Sequence, residues 1–117
     1  MIVTTQQITY CSEAVSLNDK ILLDSILNKI VVEIGLTKVT EAVHSFVPQG
    51  HSIVYVLKES HIAIHSWPEY EYAYITISSC SEITLDLQQY ESIISSVMTT
   101  SNIQLKTIDS QVCDVAR

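Results

Sequence analysis

The sequence has few basic residues, and this shortage excludes one class of partner. Its 117 residues include only six Lys and Arg against thirteen Asp and Glu, for a formal net charge of −7. Proteins that bind nucleic acid usually carry a basic patch or stripe, and no such cluster can be drawn here. We therefore expect no nucleic-acid partner. The acidity favours a cationic ligand only weakly, because it serves solubility equally well.

No segment of the sequence is apolar for long enough to cross a membrane. A transmembrane helix needs about 20 predominantly apolar residues, whereas the runs Ile21–Leu23 and Ile30–Val32 are broken within a few residues by Asp, Asn or Glu. The first residues also lack a basic segment followed by an apolar one, which is the pattern of a secretory signal. We expect a cytoplasmic protein with no membrane partner.

The cysteines form no recognisable metal or redox motif. Cys11, Cys80 and Cys113 are odd in number, and no two of them make a C-x-x-C pair. This spacing argues against a zinc site or a thioredoxin-like motif, so we expect no metal. We interpret Cys11 and Cys113 as small buried hydrophobic residues.

Two stretches have the periodicity of amphipathic helices. Residues 19–34 place apolar side chains at i, i+3 and i+4 spacing, with Ser16 or Asn18 as the expected N-cap and Gly35 as the expected left-handed C-terminal residue. A second helix is predicted at about residues 85–98. The predicted strands are Ile2–Tyr10, Val39–Val47, Ser52–Leu57, Ile62–Trp67, Tyr72–Ser79 and Ile103–Ile108.

The order of these elements, β-α-β-β-β-β-α-β, predicts an α+β fold. We expect a two-layer sandwich in which a mainly antiparallel sheet is covered on one face by two helices. No repeat, linker or low-complexity run divides the chain. Residues 1–117 are therefore interpreted as a single domain.

Alternation along two neighbouring strands predicts a polar face. His61 and His65 share one face of their strand, and the even-numbered residues from Tyr72 to Cys80 share one face of the next strand. This pattern predicts that His65 and Cys80 lie in one polar pocket. A Cys and a His together suggest proton transfer or nucleophilic catalysis, but the spacing does not choose between them, and by itself it favours a structural role.

The segment from Glu59 to Tyr70 reads E-S-H-I-A-I-H-S-W-P-E-Y. It resembles the processing-site motif of the short prokaryotic S-adenosylmethionine decarboxylases, which has the form E-S-H-x-x-I-H-T-W-P-E-Y, follows a P-x-G-x-S segment and precedes a cysteine. Residues 48–52 and Cys80 fall in register with these features without a gap. The match spans residues 46–80, and the rest of the chain agrees only in length and element order.

The resemblance implies a proenzyme that cuts its own chain before Ser60. Ser60 would attack the carbonyl group of Glu59, and elimination would release residues 1–59 as a β chain. The residue left at the head of residues 60–117, the α chain, would hydrolyse to a covalent pyruvoyl group. That ketone would condense with the substrate amine and act as an electron sink.

The same resemblance implies roles for five further residues. His65 would handle protons during processing, with Ser52 assisting, and Cys80 would be the proton donor in decarboxylation. Phe46 would stack on the adenine of the substrate, and Glu69 would hold the ribose hydroxyl groups. Members of this family are expected to form homo-oligomers, dimers above all, of cleaved αβ units with their sites near the protomer boundary.

Some positions depart from the family pattern. An L-G-R-H signature is absent from the first strand, and Glu71 and Ser81 stand where glycines are usual. The expected substrate is S-adenosylmethionine, which would supply the aminopropyl donor for polyamine biosynthesis. Because of the departures, another amino acid such as ornithine or arginine is the first alternative. The second alternative is a non-catalytic homologue that acts as a binding or regulatory subunit.

Overall fold

The computed structural model describes residues 2–111, and the prediction that Cys113 is buried lies outside this range. The six predicted strands and both predicted helices are present, together with a short helix and a 3-10 turn that the periodicity did not predict. The elements are β1 (Ile2–Cys11), α1 (Ala14–Leu17), α2 (Lys20–Ile34), β2 (Lys38–Ser45), β3 (His51–Leu57), β4 (Ser60–Trp67), a 3-10 turn (Pro68–Tyr70), β5 (Tyr72–Ser79), α3 (Leu87–Ser95) and β6 (Ser101–Gln111).

The strands form one six-stranded sheet in the order β2-β3-β4-β5-β1-β6. Every neighbouring pair is antiparallel. The predicted α+β fold with an antiparallel sheet is therefore confirmed. The register places the centres of β3, β4 and β5 side by side, which matters for the site described below.

The helices cover one face of this sheet. Burial alternates along β1, β3 and β5, so every second side chain enters the core and the others face away from the helices. The core joins the helix-facing side of the sheet to α2 and α3 and includes Ile8, Tyr10, Ile53, Tyr55, Ile62, Ile64, Ile75, Ile77, Leu23, Ile26, Leu27, Ile30, Tyr90 and Ile94. We call the other side the open face. It carries Thr5, Gln7, Thr9, Ser52, His61, His65, Trp67, Tyr72, Tyr74, Thr76 and Ser78.

Helix α2 is capped by a side chain at its start and by a left-handed glycine at its end. The Asp19 carboxylate accepts hydrogen bonds from the amide groups of Ile21 and Leu22 at 3.0 and 3.4 Å. The prediction that Ser16 or Asn18 caps this helix is therefore wrong, because α1 already includes Ser16 and the chain turns at Asn18. Gly35 ends the helix with a φ of 72°, as predicted.

Helix α3 is shorter at both ends than the predicted residues 85–98. It starts at Leu87, because Asp86 and Gln89 form a reciprocal capping box. The buried Gln6 side chain fixes the segment before it by donating to the carbonyl oxygen of Leu85 at 2.9 Å. Tyr90 in turn donates to the Gln6 amide oxygen. Burial raises the pKa of Tyr90, so its hydroxyl group stays protonated and able to donate.

Candidate active site

Ser60 is the first residue of β4 and follows a two-residue turn formed by Lys58 and Glu59. Leu57 pairs with Ser60 across this hairpin, and Ser60 also pairs with Ser79 on β5. The Ser60 hydroxyl oxygen is buried and has no hydrogen-bond partner. A buried unpartnered hydroxyl group carries a free-energy cost, and a reactive role is one reason for such an exception. Among the described residues the Ser12 hydroxyl oxygen is the other buried side-chain oxygen without a partner, and it lies away from the bond between Glu59 and Ser60.

The Cys80 thiol and the Glu59 carboxylate lie at the same end of the sheet as Ser60. Cys80 follows directly after Ser79, so the register of β4 and β5 brings it beside the hairpin turn. Its thiol group donates to the Glu59 carboxylate over a sulfur–oxygen distance of 3.8 Å. We call Glu59, Ser60 and Cys80 the hairpin-end cluster.

Ser52 and His65 form a second group, near the other end of the same strands. They are direct partners across β3 and β4, and the Ser52 hydroxyl oxygen shares a 2.7 Å hydrogen bond with His65 Nδ1. The imidazole ring lies between two aromatic rings of the open face, with centroid distances of 6.2 Å to Trp67 and 6.4 Å to Tyr74. The hydrogen bond with Ser52 therefore orients the His65 ring.

A cavity of about 240 Å³ adjoins this second group. It brings together Phe46 and Glu69, the two predicted substrate-binding residues, and its lining residues are Phe46, Val47, Pro48, Gln49, Ser66, Trp67 and Glu69. The loop that carries Phe46 is closed by a hydrogen bond from the Phe46 amide to the Gly50 carbonyl oxygen at 2.8 Å. Gly50 is in turn held by the Asn18 side chain.

The structure does not bring the two groups together within one chain. Ser60 and His65 lie five positions apart on β4, and at about 3.3 Å per residue this separation is about 16 Å. His65 pairs with Tyr74, six residues before Cys80. The prediction that His65 and Cys80 share one pocket is therefore wrong for a single chain. His65 and Cys80 lie at different positions along the strand direction, although both β4 and β5 present polar side chains to the open face.

Several features of this region were not predicted from the sequence. The ring of His44 contacts Phe46 edge-on, with centroids 4.6 Å apart. His51 donates to the Asn18 carbonyl oxygen at 2.8 Å and bonds the Ser45 hydroxyl group through its other ring nitrogen. Alternation along β2 and its pairing with β3 could have indicated the His44–Phe46 and Ser45–His51 contacts, whereas the contact with Asn18 depends on the tertiary fold.

Cys11, the metal-binding side chains and the helices were also subjects of predictions from the sequence. Cys11 is half-buried and not buried as predicted, because it ends β1 and lines a small surface cavity with Ser12 and Glu71. Among residues 2–111, no group of three or more His, Cys, Asp or Glu could hold a metal ion. None of the helices in that range is long and apolar enough to cross a membrane.

Another cavity, of about 450 Å³, lies between α2 and α3 on the outer side of the helices. It is lined by Asn28, Lys29, Val32, Glu33, Ser92, Ile93 and Ser96. None of the predicted site residues reaches it, because all of them lie on the sheet and its connecting turns. The arrangement on the sheet is therefore the candidate active site.

A family model described as S-adenosylmethionine decarboxylase matches residues 5–111, which is nearly the whole described chain. The chain belongs to this family. The S-adenosylmethionine decarboxylase proenzyme of Acetivibrio thermocellus is 41% identical over 73 residues, which cover 62% of this chain and 59% of that one. The proenzyme of Thermotoga maritima is 44% identical over 61 residues, covering 52% and 47%. The aligned part thus spans about half of each relative.

A solved family member has the same fold. The crystal structure of the adenosylmethionine decarboxylase from Aquifex aeolicus superposes with a TM-score of 0.77 over 100% of this chain and 96% of the other. The sequence identity is 20%. At that identity the likeness shows the fold of the family, and the activity of this chain has to be argued from its own residues.

Proposed function

We propose that this chain is a self-processing, pyruvoyl-dependent decarboxylase of S-adenosylmethionine that supplies the aminopropyl donor for polyamine biosynthesis. The observation that carries the proposal is the buried, unpartnered hydroxyl group of Ser60 at the head of β4, in a chain of this family. Residues 1–117 form one domain that self-cleavage divides into a β chain, 1–59, and an α chain, 60–117.

Processing starts when the Ser60 hydroxyl oxygen attacks the carbonyl carbon of Glu59. The bond between that carbon and the Ser60 nitrogen breaks, and the hydroxyl proton passes to the nitrogen, so an ester replaces the peptide bond. Loss of the Ser60 Cα proton then breaks the bond between Cβ and the ester oxygen, which leaves Glu59 as a free carboxylate. Water replaces the nitrogen at residue 60, and ammonia departs.

The surroundings of Ser60 fit the formation of a pyruvoyl group at this residue. Its hydroxyl oxygen makes no hydrogen bond that would have to break before attack, and cleavage makes this residue the new N-terminus of β4. When present, a pyruvoyl ketone supplies an electron sink for loss of carbon dioxide. The Cys80 thiol lies at the same end of the sheet, where it donates the proton that replaces the lost carboxylate.

Ser52 and His65 are the groups that move protons during processing. A general base or acid must approach its target to within about 3 Å, whereas His65 lies about 16 Å along the strand from Ser60 of the same chain. The proton-handling pair therefore cannot serve its own Ser60. A second copy of the chain removes this obstacle.

The open face is the surface on which that second copy packs. Two sheets that pack face to face lie about 10 Å apart, and paired subunits usually obey twofold symmetry. A twofold axis that lies between the sheets and runs across the strands puts the hairpin end of each chain opposite the Ser52–His65 pair of the other. The Ser60 side chain alternates with Ile62 and Ile64 toward the helices, so this packing brings the backbone of the Glu59–Ser60 bond toward the partner's His65. Phe46, Trp67 and Tyr72, which are 49%, 40% and 36% exposed, would then be covered.

Phe46 and Glu69 bind the nucleoside part of the substrate in the 240 Å³ cavity. An exposed aromatic ring offers a stacking surface for adenine. The Glu69 carboxylate accepts two charge-assisted hydrogen bonds from a ribose diol. The cavity shares Trp67 with the surroundings of His65, so the nucleoside is held by one chain and its reacting end extends toward the hairpin-end cluster of the other.

A substrate panel tests the proposed function. The purified, processed protein should release carbon dioxide from S-adenosylmethionine and not from ornithine or arginine, and the Ser60→Ala variant should release none. Release from ornithine or arginine alone would replace the substrate and keep the chemistry. An uncut chain that releases no carbon dioxide from any of the three would favour a non-catalytic subunit.

A further inference from the structure

Glu59, the residue on the acyl side of the proposed cleavage site, has a left-handed backbone with a φ of 66°. A residue with a Cβ is disfavoured in this conformation, and glycine or asparagine normally occupies it. Lys58, the other residue of the turn, has no positive φ. A positive φ at the second turn residue alone is the pattern of a type II turn, and two-residue hairpins avoid such turns because they splay the strands.

The surrounding structure holds Glu59 in place from both sides. The Lys58 amide group donates to the Thr37 carbonyl oxygen at 2.9 Å, just before β2. On the other side, Ser60 is fixed in the sheet by its pairing with Leu57 and Ser79. The turn therefore cannot relax without giving up strand pairing. Strained residues persist only where their surroundings over-determine them, and they cluster at functional sites.

We propose that the left-handed backbone of Glu59 is a strained ground state whose release speeds the cleavage before Ser60. The inference rests on the proposed function. When the Ser60 oxygen replaces the Ser60 nitrogen on the Glu59 carbonyl carbon, Glu59 becomes bonded to the Ser60 side chain. It is then no longer bonded to the paired backbone of β4. The φ of Glu59 is then free to return to an ordinary value, and elimination detaches the residue entirely.

The comparison of Glu59→Ala with Glu59→Gly isolates the backbone. Both variants lose the carboxylate that accepts from Cys80, and they differ only in the Cβ that makes a positive φ costly. The two chains are made by cell-free translation, quenched in denaturant at intervals and weighed. We expect Glu59→Ala to be cleaved about tenfold faster than Glu59→Gly, which corresponds to about 1.4 kcal/mol of released strain.

Glu71 provides a matched control. It also has a left-handed backbone, with a φ of 52°, and lies after the 3-10 turn, away from the cleaved bond. Glu71→Ala and Glu71→Gly should be cleaved at the same rate within about twofold, because relief of strain there is not coupled to the bond before Ser60.

A ratio above about threefold between the Ala and Gly variants at residue 59, with none at residue 71, supports the inference. Equal rates, a faster Gly variant, or no cleavage of either variant while the unaltered chain is cleaved would overturn it. In the uncleavable Ser60→Ala background, Glu59→Gly should also have an unfolding constant about tenfold smaller than that of Glu59→Ala. An unaltered chain that stays uncut would instead overturn the proposed function.

Discussion

Two variants that each lack one half of the proposed machinery can be combined to test whether the site forms between two chains. Ser60→Ala removes the nucleophile of the hairpin-end cluster, and His65→Ala removes the imidazole about 16 Å along the same strand. Neither variant should be cleaved alone. In a mixed dimer, the Ser60 of the His65→Ala chain faces the intact His65 of the Ser60→Ala chain, so one of the two sites is complete.

The expected extent of cleavage follows from symmetry. If equal amounts of the two variants pair at random, about half of all dimers are mixed, and each mixed dimer contains one intact site. About half of the His65→Ala chains should therefore be cut, and no Ser60→Ala chain. The assay is co-expression with two different affinity tags, followed by separation of the fragments under denaturing conditions.

A second mixture tells the composite site from a general rescue by dimerisation. Cys80 belongs to the same hairpin-end cluster as Ser60. In a mixed dimer of Cys80→Ala and Ser60→Ala chains, one site therefore lacks the Cys80 thiol and the other lacks the Ser60 hydroxyl group. That mixture should release no carbon dioxide, whereas the His65→Ala mixture should. Absence of cleavage in the His65→Ala mixture, despite demonstrated mixed dimers, would refute the reasoning from strand distance.

Two further predictions concern stability. A Cβ at Gly50, where φ is 99°, would lie 3.0 Å from the Ser66 carbonyl oxygen, whereas a Cβ at Gly35 would meet nothing within 4 Å. Gly50→Ala should therefore lower Tm by about 8 °C and Gly35→Ala by about 4 °C. Equal losses of Tm in calorimetry would contradict this reasoning. Tyr90→Phe leaves the buried Gln6 amide oxygen without its donor and should cost about 1–3 kcal/mol in urea unfolding. Tyr70→Phe, at a side chain that is 76% exposed, should cost nothing, and a Tyr90→Phe variant as stable as Tyr70→Phe would count against the buried hydrogen bond.

Much of the fold could be predicted because its signals are local. The i, i+3, i+4 spacing of α2 and the left-handed Gly35 at its end need no tertiary information. The N-cap was misplaced because Ser16, Asn18 and Asp19 are all capping residues, and only the end of α1 decides among them. The start of α3 was predicted two residues too early, although Asp86 and Gln89 have the spacing of a capping box.

The site was harder to predict, because its geometry depends on strand register. The hairpin between β3 and β4 turns on Lys58 and Glu59, neither of which is a usual turn residue. The sequence therefore predicted that β4 begins at Ile62, which leaves Ser60 in a loop. With β4 beginning at Ser60, counting five residues along the strand gives the separation of Ser60 from His65. The identities of these residues were recognised through a motif, and their separation required the structure.

The left-handed conformation at Glu71 explains why the family pattern usually has glycine at this position. A φ of 52° suits glycine, which is usual at this position in the family pattern. Glu71 adopts the same backbone because the Ser12 amide group donates to its carbonyl oxygen at 3.1 Å and its own amide bonds the Pro68 carbonyl oxygen. The departure therefore leaves the local backbone intact, and Glu69 keeps its place beside the cavity.

The mass of the purified protein under denaturing conditions tests self-cleavage most directly. We predict two fragments, one that ends at Glu59 and one that begins at residue 60. The second should be lighter than a chain of residues 60–117 with an N-terminal serine by the mass of one ammonia molecule. A single species at the 13.1 kDa of the uncut chain, in protein that is folded and dimeric, would contradict self-processing at Ser60 and with it the proposed decarboxylase.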